Sequence, residues 1–303
     1  MDLKKIAKSL QSQVKGKIKI LEALSRHTTW QIGGPADLFL IPVDKSDLEN
    51  AVKFCNLENI PVTIIGGGSN LLISDQGVRG LVIKLAGGLK KWEINGVEVR
   101  AESGVRLPFL VRQTVNEGLQ GLEFAGGIPG TVGGAVIMNA GAHGGSMDQV
   151  VERVVAMDKK GQLKYFTNEE LGFSYRSSNL KHRDDLIVLE VSFKLTQGNR
   201  EELEAALKRY LLSRQEKQPW QFPNAGSVFK NPPGYSAGWL IESVGAKGWQ
   251  VGKAQVSTKH ANFIVNLGGA TCQDVLTLIE KIQKTVKEKY DIDLEPEIIT
   301  VGG

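Results

Sequence analysis

Glycine is the feature of this sequence that most restricts its fold. The 303-residue chain contains 35 glycines, many of them in two dense segments, residues 66–68 and 126–144. Each glycine inside a helix or strand costs about 0.5–1 kcal/mol relative to alanine, so neither segment is expected to form regular structure. A glycine run is most often an ordinary turn. Because glycine also lets the backbone approach a ligand closely, we predict a ligand-embracing loop at each segment.

The elements around the first segment predict a parallel α/β arrangement. Residues 36–42 are expected to form a strand, followed by a helix that begins at a capping box, Ser46 with Glu49, and ends near Asn59. A second strand at 62–65 runs directly into the first glycine loop. This order places the loop at the carboxyl end of a strand, where α/β proteins commonly bind ligands.

Beyond residue 87 the pattern changes to antiparallel sheet, with hairpins predicted around Asn95-Gly96 and around residues 158–161. Helices are expected at 107–117, 200–216, 237–244 and 271–290, and strands at 81–85, 186–195 and 263–267. The sequence Gln197-Gly198-Asn199 is the best linker candidate. We therefore predict a mixed α+β chain with a first region at 1–198, made of subdomains at about 20–86 and 87–198, and a C-terminal domain at 199–303.

The composition is that of an ordinary globular protein. With 41% hydrophobic and 23% charged residues, the chain is not expected to be disordered, fibrous or embedded in a membrane. No apolar run approaches the roughly 20 residues that span a bilayer, and the first helix lacks the features of a signal peptide. Only two cysteines are present, Cys55 and Cys272, too few for a disulfide framework or a zinc cluster. We predict a cytoplasmic protein without a metal site.

The charge balance favours a small anionic ligand over nucleic acid. The net charge is +4 and no long basic block occurs. The five tryptophans are scattered without interleaved basic residues, which favours core or interface packing over a stacking platform for single strands. No nucleic-acid partner is predicted, and the sequence leaves the oligomeric state open.

The two glycine segments match neither common phosphate motif. No Gly-Lys-Ser/Thr follows residues 66–68, which excludes a Walker A loop, and no GxGxxG opens a helix there. Two such loops, one in each predicted subdomain, are what a long dinucleotide lying between the subdomains would require.

The sequence Asn224-Ala225-Gly226-Ser227 contains the most reactive candidate side chain. A hydrolytic nucleophile is disfavoured at Ser227, because no GxSxG elbow surrounds it and the four histidines lack the spacing of a triad. The hydroxyl could instead donate a proton to a developing carbanion. A turn or N-cap role is the most common one for such a serine.

Six segments together resemble one family of flavoenzymes. They are HTTWQIGGPAD at 27–37, PVTIIGGGSNLL at 61–72, GLEFAGGIPGTVGGAVIMNAGAHG at 121–144, FSYRSS at 173–178, NAGSVFKNP at 224–232 and LEPE at 294–297. In this order they are similar to the UDP-N-acetylenolpyruvoylglucosamine reductase family of peptidoglycan synthesis. The resemblance implies an FAD-binding module of the vanillyl-alcohol-oxidase (PCMH) type, followed by an α+β domain that binds the substrate.

The resemblance also implies the reaction and the groups that carry it. NADPH reduces FAD, hydride then passes to the enolpyruvyl methylene carbon of UDP-N-acetylglucosamine enolpyruvate, and Ser227 protonates the neighbouring carbon. Arg176 and Glu297 match the pair that polarises the substrate carboxylate. Glu297 is preferred to Glu295 because the family position is the last acidic residue of LxxE.

Binding residues follow from the same resemblance. FAD is expected to contact Gly66, Gly67, Gly68, Ser69, Asn70, Gly130, Thr131, Gly133, Gly134, Asn139 and Gly141. Arg214, Lys217 and Asn231 are expected to hold the UDP pyrophosphate and sugar, because cationic groups suit a diphosphate.

The stretch between Arg176 and residue 186 is short, which matches the shorter subtype of the family without its tyrosine-bearing loop.

Two other functions stay open at this stage. A related FAD-dependent oxidase is the first alternative, with His143 as a flavin tether; the NAGS and LEPE sequences count against it. A nucleotide-sugar binding protein without catalysis is the second, and the intact Arg176, Ser227 and Glu297 count against that.

Overall fold

The structure is a computed structural model that describes residues 2–303. The chain forms two compact units. The first unit contains the described residues up to Leu21 together with Asp37–Gly67 and Gly80–Ser213, and the second contains Glu22–Ala36, Gly68–Arg79 and Arg214–Gly303. Sequence position alone does not define either unit, because each is assembled from three separate segments.

The helices and strands follow one another along the whole chain. Up to residue 137 they are α1 (Leu3–Gln11), β1 (Lys19–Ala23), β2 (Pro35–Leu40), α2 (Lys45–Leu57), β3 (Val62–Ile65), β4 (Leu71–Ile73), β5 (Val78–Lys84), β6 (Trp92–Asn95), β7 (Glu98–Glu102), α3 (Leu107–Asn116), β8 (Leu119–Gln120) and α4 (Val132–Ile137). Then come β9 (Gly141–Ala142), β10 (Gly145–Ser146), β11 (Val151–Asp158), β12 (Leu163–Thr167), β13 (Leu186–Lys194), β14 (Thr196–Gln197), α5 (Arg200–Lys217), α6 (Ala237–Ser243), β15 (Gln250–Val251), β16 (Ala254–Val256), β17 (Ile264–Asn266), α7 (Cys272–Tyr290) and β18 (Ile299–Val301).

Two sheets organise the first unit. One has the strand order β1-β2-β5-β3, with β3 and β5 parallel and Ile65 opposite Lys84. The other has the order β12-β11-β13-β7-β6 and is antiparallel throughout. Apolar residues of α1 and α2 share a buried core with the first sheet, and those of α3 and α4 share one with the second. The hairpins predicted around Asn95-Gly96 and residues 158–161 are confirmed.

The second unit has a single buried core around α7. One face of α7 contributes Val275, Leu278, Ile279, Ile282 and Val286 to that core. Thr271 and Asp274 form a capping box at the N-terminus of this helix. A three-stranded antiparallel sheet has the order β15-β16-β17, and β18 pairs in parallel with β4. The pairing of β18 with β4 places the LEPE sequence beside the end of the first glycine loop.

The predicted helices at 107–117, 200–216, 237–244 and 271–290 are confirmed to within one residue at each end. The capping box predicted at Ser46 is wrong. Helix α2 begins at Lys45, and its N-cap is Asp44, whose carboxylate accepts a hydrogen bond from the Asp47 N–H at 2.8 Å. Aspartate is as good an N-cap residue as serine, so Asp44, which directly precedes the first helical residue, caps the helix.

The expectation that the second glycine segment contains no helix is also wrong. Residues Val132–Ile137 form the short helix α4, which includes Gly133 and Gly134. A Cβ on Gly133 would lie 2.7 Å from the Cβ of Ser103, and the Gly133 N–H donates to the Ser103 carbonyl at 2.9 Å. Glycine is tolerated in this helix because the helix packs directly against the backbone at residue 103, where any side chain would clash.

The two neighbouring glycines of α4 are expected to respond oppositely to alanine. Gly133→Ala should destabilise the protein by about 1–3 kcal/mol through overpacking against Ser103. Gly134→Ala should stabilise it by about 0.5–1 kcal/mol, because Gly134 is exposed and its added Cβ would meet only the Thr131 hydroxyl oxygen at 3.6 Å. Urea unfolding of both variants without FAD measures the difference, and equal effects would show that Ser103 does not set the packing of α4.

Candidate active site

The first two glycines of the GGGSN loop lie against the second glycine segment within the first unit. A Cβ on Gly67 would lie 2.9 Å from the Gly130 Cα, and a Cβ on Gly66 would lie 2.6 Å from the Thr131 hydroxyl oxygen. The structure therefore brings together two loops that are about 60 residues apart in sequence. Only glycine permits this approach of backbone to backbone. We name the pair, residues 66–67 with 130–131, the glycine cradle.

The glycine cradle has the chemistry of a diphosphate site. Within residues 2–303, the N–H groups of Gly66 and Gly67 donate no hydrogen bond to a protein acceptor. Lys84 lies opposite Ile65, directly before the cradle, and Arg106 pairs in an antiparallel bridge with Thr131. Burial, and to a lesser extent the Arg106 charge, lower the pKa of Lys84. Two backbone N–H groups that are available to donate, together with the cationic residues Lys84 and Arg106, fit the pyrophosphate of a dinucleotide such as FAD.

Gly67→Ala is expected to abolish tight FAD binding. The added methyl group would have to displace the backbone at Gly130, which opens the glycine cradle. Gly96→Asn is the matched control, because it adds a Cβ in the first unit with no atom within 4 Å, at a φ of +59° that asparagine tolerates. Fluorescence titration with FAD measures both affinities; an unchanged affinity in Gly67→Ala would remove the cradle from the cofactor site.

The remaining loop residues, Gly68, Ser69 and Asn70, belong to the second unit. A Cβ on Gly68 would lie 2.1 Å from the His27 carbonyl oxygen, so this glycine is packed against the HTTW segment. The Asn70 side-chain amide donates to the Glu297 carbonyl at 3.0 Å. The structure thus joins the end of this loop to the LEPE sequence.

The segments that carry Ser227 and Glu297 are joined by a short antiparallel pairing. Phe229 and Pro296 form the bridge, the Glu297 N–H donates to the Val228 carbonyl at 2.7 Å, and the Lys230 N–H donates to the Glu295 carbonyl at 2.9 Å. Ser227 directly precedes this pairing, and both Ser227 and Glu297 are partly buried. We name the pairing of residues 228–230 with 295–297 the catalytic ladder. The sequence predicts both residues as site residues, but no local pattern in it shows that their segments pair.

The two glutamates of LEPE occupy different environments. Glu295 is exposed, with 68% of its side chain accessible, and it forms an ion pair with Lys230. Glu297 is partly buried. The Lys230 side chain is mostly buried, with 15% accessible, whereas the Glu295 carboxylate is open to solvent. The difference in burial favours Glu297 as the functional acid.

Arg176 lies in a strained turn in the first unit. Ser174 and Ser177 exchange two backbone hydrogen bonds of 3.0 and 3.1 Å, and Arg176 between them has a φ of +56°. Non-glycine residues pay about 1–2 kcal/mol for this conformation, and such strain is concentrated at functional sites. The guanidinium donates to the Gly141 carbonyl at 3.0 Å. The turn therefore aims Arg176 at the second glycine segment.

Asn139 supports the Arg176 turn with both ends of its side chain. Its amide nitrogen donates to the Ser174 carbonyl, and its amide oxygen accepts from the Asp148 N–H, each at 3.0 Å. The Asn139 side chain is buried, and these two bonds use both its amide nitrogen and its amide oxygen. Asn139, expected to contact FAD, thus holds the loop that carries Arg176.

Arg214, Lys217 and Asn231 lie in the second unit, where a cavity of about 430 Å³ is lined by Gln215, Trp220, Phe222 and Lys259 among others. The Arg214 Nε is buried and has no hydrogen-bond partner within the described chain, residues 2–303. Burial lowers the pKa of its guanidinium. Lys217 is exposed.

Asn231 is exposed, and its side-chain oxygen accepts from the Ala237 N–H at 2.9 Å. An anion beside Arg214 would supply the partner that its Nε lacks. Asn231, in contrast, already uses one side-chain atom at the start of α6.

Several structural contributors were missed from the sequence. Asn262 is buried, and its side chain accepts from the Phe229 N–H at 2.9 Å and donates to the Phe229 carbonyl at 2.8 Å. It therefore holds the catalytic ladder from the side away from LEPE. Lys84 and Arg106 beside the glycine cradle were also missed. No local pattern distinguishes these residues, because their partners are distant in sequence.

Known proteins resemble this chain over nearly its full length. A model of the FAD binding domain matches residues 36–166, and a model of the UDP-N-acetylenolpyruvoylglucosamine reductase C-terminal domain matches residues 218–301. The UDP-N-acetylenolpyruvoylglucosamine reductase of Desulforamulus reducens is 48% identical over 297 residues, 98% of each chain. That of Heliobacterium modesticaldum is 49% identical over 282 residues, 93% of this chain and 90% of the relative.

A solved structure agrees with these matches. The crystal structure of UDP-N-acetylenolpyruvylglucosamine reductase from Thermus caldophilus superposes with a TM-score of 0.80 at 37% identity, covering 95% of this chain and 99% of that one. The fold and the matched domains define an FAD-dependent oxidoreductase with a mixed α/β architecture, which confirms the predicted fold class. The chain belongs to the UDP-N-acetylenolpyruvoylglucosamine reductase family and is a flavoprotein of peptidoglycan synthesis.

The roles of individual residues stay predictions, as does the division into regions 1–198 and 199–303. Among residues 2–303, no helix combines the length and apolar character needed to cross a bilayer. In the same part of the chain, no three His, Cys, Asp or Glu residues are grouped so that they could hold a metal ion.

Proposed function

We propose that this chain reduces UDP-N-acetylglucosamine enolpyruvate to UDP-N-acetylmuramate, with NADPH as the reductant and FAD as the mediator. The observation that carries the proposal is the catalytic ladder, which sets the Ser227 segment beside Glu297 within one unit. Reduction of an enol ether next to a carboxylate uses a proton donor and groups that stabilise the developing charge, and these are the parts proposed for Ser227 and for Glu297.

FAD would be held by the glycine cradle. The Gly66 and Gly67 N–H groups would donate hydrogen bonds to the FAD pyrophosphate, and Lys84 and Arg106 would supply positive charge. When bound, FAD supplies the hydride, received from NADPH, that the enolpyruvyl methylene carbon accepts. Among the other expected contacts, Gly133 and Asn139 act through packing and loop support, since their polar groups are already paired.

Ser227 holds the proton for the second half of the reaction. As the methylene carbon gains hydride, negative charge develops on the neighbouring carbon and its carboxylate. The Ser227 hydroxyl donates its proton to that carbon, and solvent restores the proton to the serine oxygen. One NADPH and one proton are consumed for each enol ether reduced, so electrons and atoms balance.

Arg176 and Glu297 act on the charge that develops at the substrate carboxylate. A guanidinium pairs with a carboxylate through two parallel hydrogen bonds, and its fixed charge stabilises the enolate-like state. We assign this part to Arg176. We assign the second contact with the same group to Glu297.

The diphosphate of the substrate would be bound by Arg214 and Lys217 at the end of α5, with Asn231 contacting the sugar. The unpartnered Nε of Arg214 supports this assignment. We accordingly propose region 1–198 for the cofactor and region 199–303 for the substrate. Both cysteines are buried free thiols, which supports a reducing, cytoplasmic location.

An anaerobic assay tests the proposal. Protein reconstituted with FAD should oxidise NADPH only when the enolpyruvyl substrate is present, with one lactyl ether product formed for each NADPH consumed. NADPH oxidation that requires oxygen and forms no reduced sugar nucleotide would identify an oxidase instead. Binding of the substrate without any turnover would leave a nucleotide-sugar binding protein.

A further inference from the structure

Both backbone polar groups of Glu297 are fixed within the second unit. Its N–H donates to the Val228 carbonyl at 2.7 Å, and its carbonyl accepts from the Asn70 side-chain amide at 3.0 Å. The Asn70 carbonyl in turn accepts from the Ile299 N–H at 3.0 Å. Asn70 therefore bonds the chain on both sides of residue 298.

The side-chain bond of Asn70 is additional to the regular strand pairing. Strands β4 and β18 pair from Leu71 opposite Ile299 onward, and the main chain of Asn70 extends that pairing by one bond. The side chain then reaches one step further, to the carbonyl of Glu297. The pairing of β4 with β18 would hold residues 299–301 even without the Asn70 side-chain bond. The specific effect of that bond is therefore on Glu297.

We propose that Asn70 is a positioning residue for Glu297, an inference that rests on the function proposed above for Glu297. With Asn70 in place, the Cα of Glu297 is tied to the segment of Ser227 on one side and to the end of the glycine loop on the other. Loss of the amide donor frees the Glu297 carbonyl and lets its carboxylate shift. A shift of about 1 Å at a reacting group can slow a reaction by about a hundredfold.

This role differs from the FAD contact that the family resemblance implies for Asn70. A cofactor contact through the side chain would make FAD affinity depend on that side chain. A positioning role instead leaves FAD binding and reduction by NADPH intact, and slows only the step in which the substrate is reduced. The two roles therefore predict opposite results in separate half-reactions.

The test compares Asn70→Ala and Asn70→Asp with Asn50→Ala in the FAD-loaded protein. Aspartate keeps the size of asparagine but removes the donor, so it carries the test if the alanine variant does not fold. Asn50 is the matched control, because its side-chain amide also donates to one backbone carbonyl, that of Gln13 at 3.2 Å. FAD affinity, thermal unfolding, the rate of flavin reduction by NADPH and the rate of reoxidation by substrate are measured for each.

We expect both Asn70 variants to bind FAD and accept electrons from NADPH at rates close to the wild type, and to be reoxidised by substrate about tenfold to a hundredfold more slowly. The control should match the wild type in every measurement. In Asn70→Ala combined with Glu297→Gln, the Asn70 change should add less than about threefold, because the two residues act as a unit.

Other outcomes separate the two proposals. If Glu297→Gln alone slows reoxidation but the Asn70 variants do not, or if the two effects multiply, Asn70 does not position Glu297. If the Asn70 variants lose FAD and react normally once FAD is saturating, the side chain is a cofactor contact. If Glu297→Gln is reoxidised at the wild-type rate, the function assigned to Glu297 fails, and the positioning role fails with it.

Discussion

Ser227→Ala is expected to give a folded, yellow protein whose flavin NADPH still reduces, but whose reoxidation by the enolpyruvyl substrate is slowed on the order of 10²- to 10⁴-fold. General-acid catalysis commonly contributes this much. Reduction by NADPH needs no proton from Ser227, so that half-reaction should be unaffected. Anaerobic stopped-flow absorbance at the flavin band measures the two half-reactions separately.

The control for Ser227→Ala is Ser243→Ala. Ser243 lies in the same unit, and its hydroxyl donates to the Leu240 carbonyl at 2.7 Å and accepts from the Tyr290 hydroxyl at 2.8 Å. Its loss should lower stability by about 0.5–1.5 kcal/mol without changing either half-reaction. Substrate-driven reoxidation of Ser227→Ala at the wild-type rate would remove Ser227 from the mechanism.

Glu297→Gln is expected to slow substrate-driven reoxidation by about 10²- to 10³-fold, the usual cost of removing one group that stabilises developing charge. Glu295→Gln should be nearly silent in this assay, because the Glu295 side chain is exposed to solvent. The two positions are two residues apart and carry the same substitution, so each variant controls for the other. Steady-state NADPH oxidation at saturating substrate measures both.

The opposite order of effects would contradict the assignment. A severe defect in Glu295→Gln with a mild one in Glu297→Gln would mean that the exposed carboxylate acts in the reaction. The substrate would then lie at the other end of the catalytic ladder, beside Lys230.

Local sequence patterns predicted most of the helices and hairpins correctly. The apolar period of residues 271–290 and the Asn95-Gly96 turn each depend on neighbours a few residues apart, so the sequence alone reveals them. Helix α4 could not be predicted in this way. Its glycines are disfavoured in a helix, and Gly133 is explained only by its contact with Ser103, 30 residues earlier.

The candidate site was likewise only partly predictable from the sequence. Family motifs pointed to Ser227, Glu297 and Arg176, but not to the contacts that hold them. The catalytic ladder joins residues almost 70 positions apart, and Asn70 reaches a carbonyl 227 positions away. Such register depends on the whole folded unit, so no periodicity or turn signal reveals it.

The most direct test of the account is the flavin spectrum of the purified, FAD-loaded protein under anaerobic conditions. NADPH should bleach the flavin absorbance, and UDP-N-acetylglucosamine enolpyruvate should restore it without oxygen. Restoration by oxygen alone, with no response to the substrate, would contradict the reductase mechanism. A protein that remains colourless and cannot be reconstituted with FAD would contradict the cofactor role of the glycine cradle.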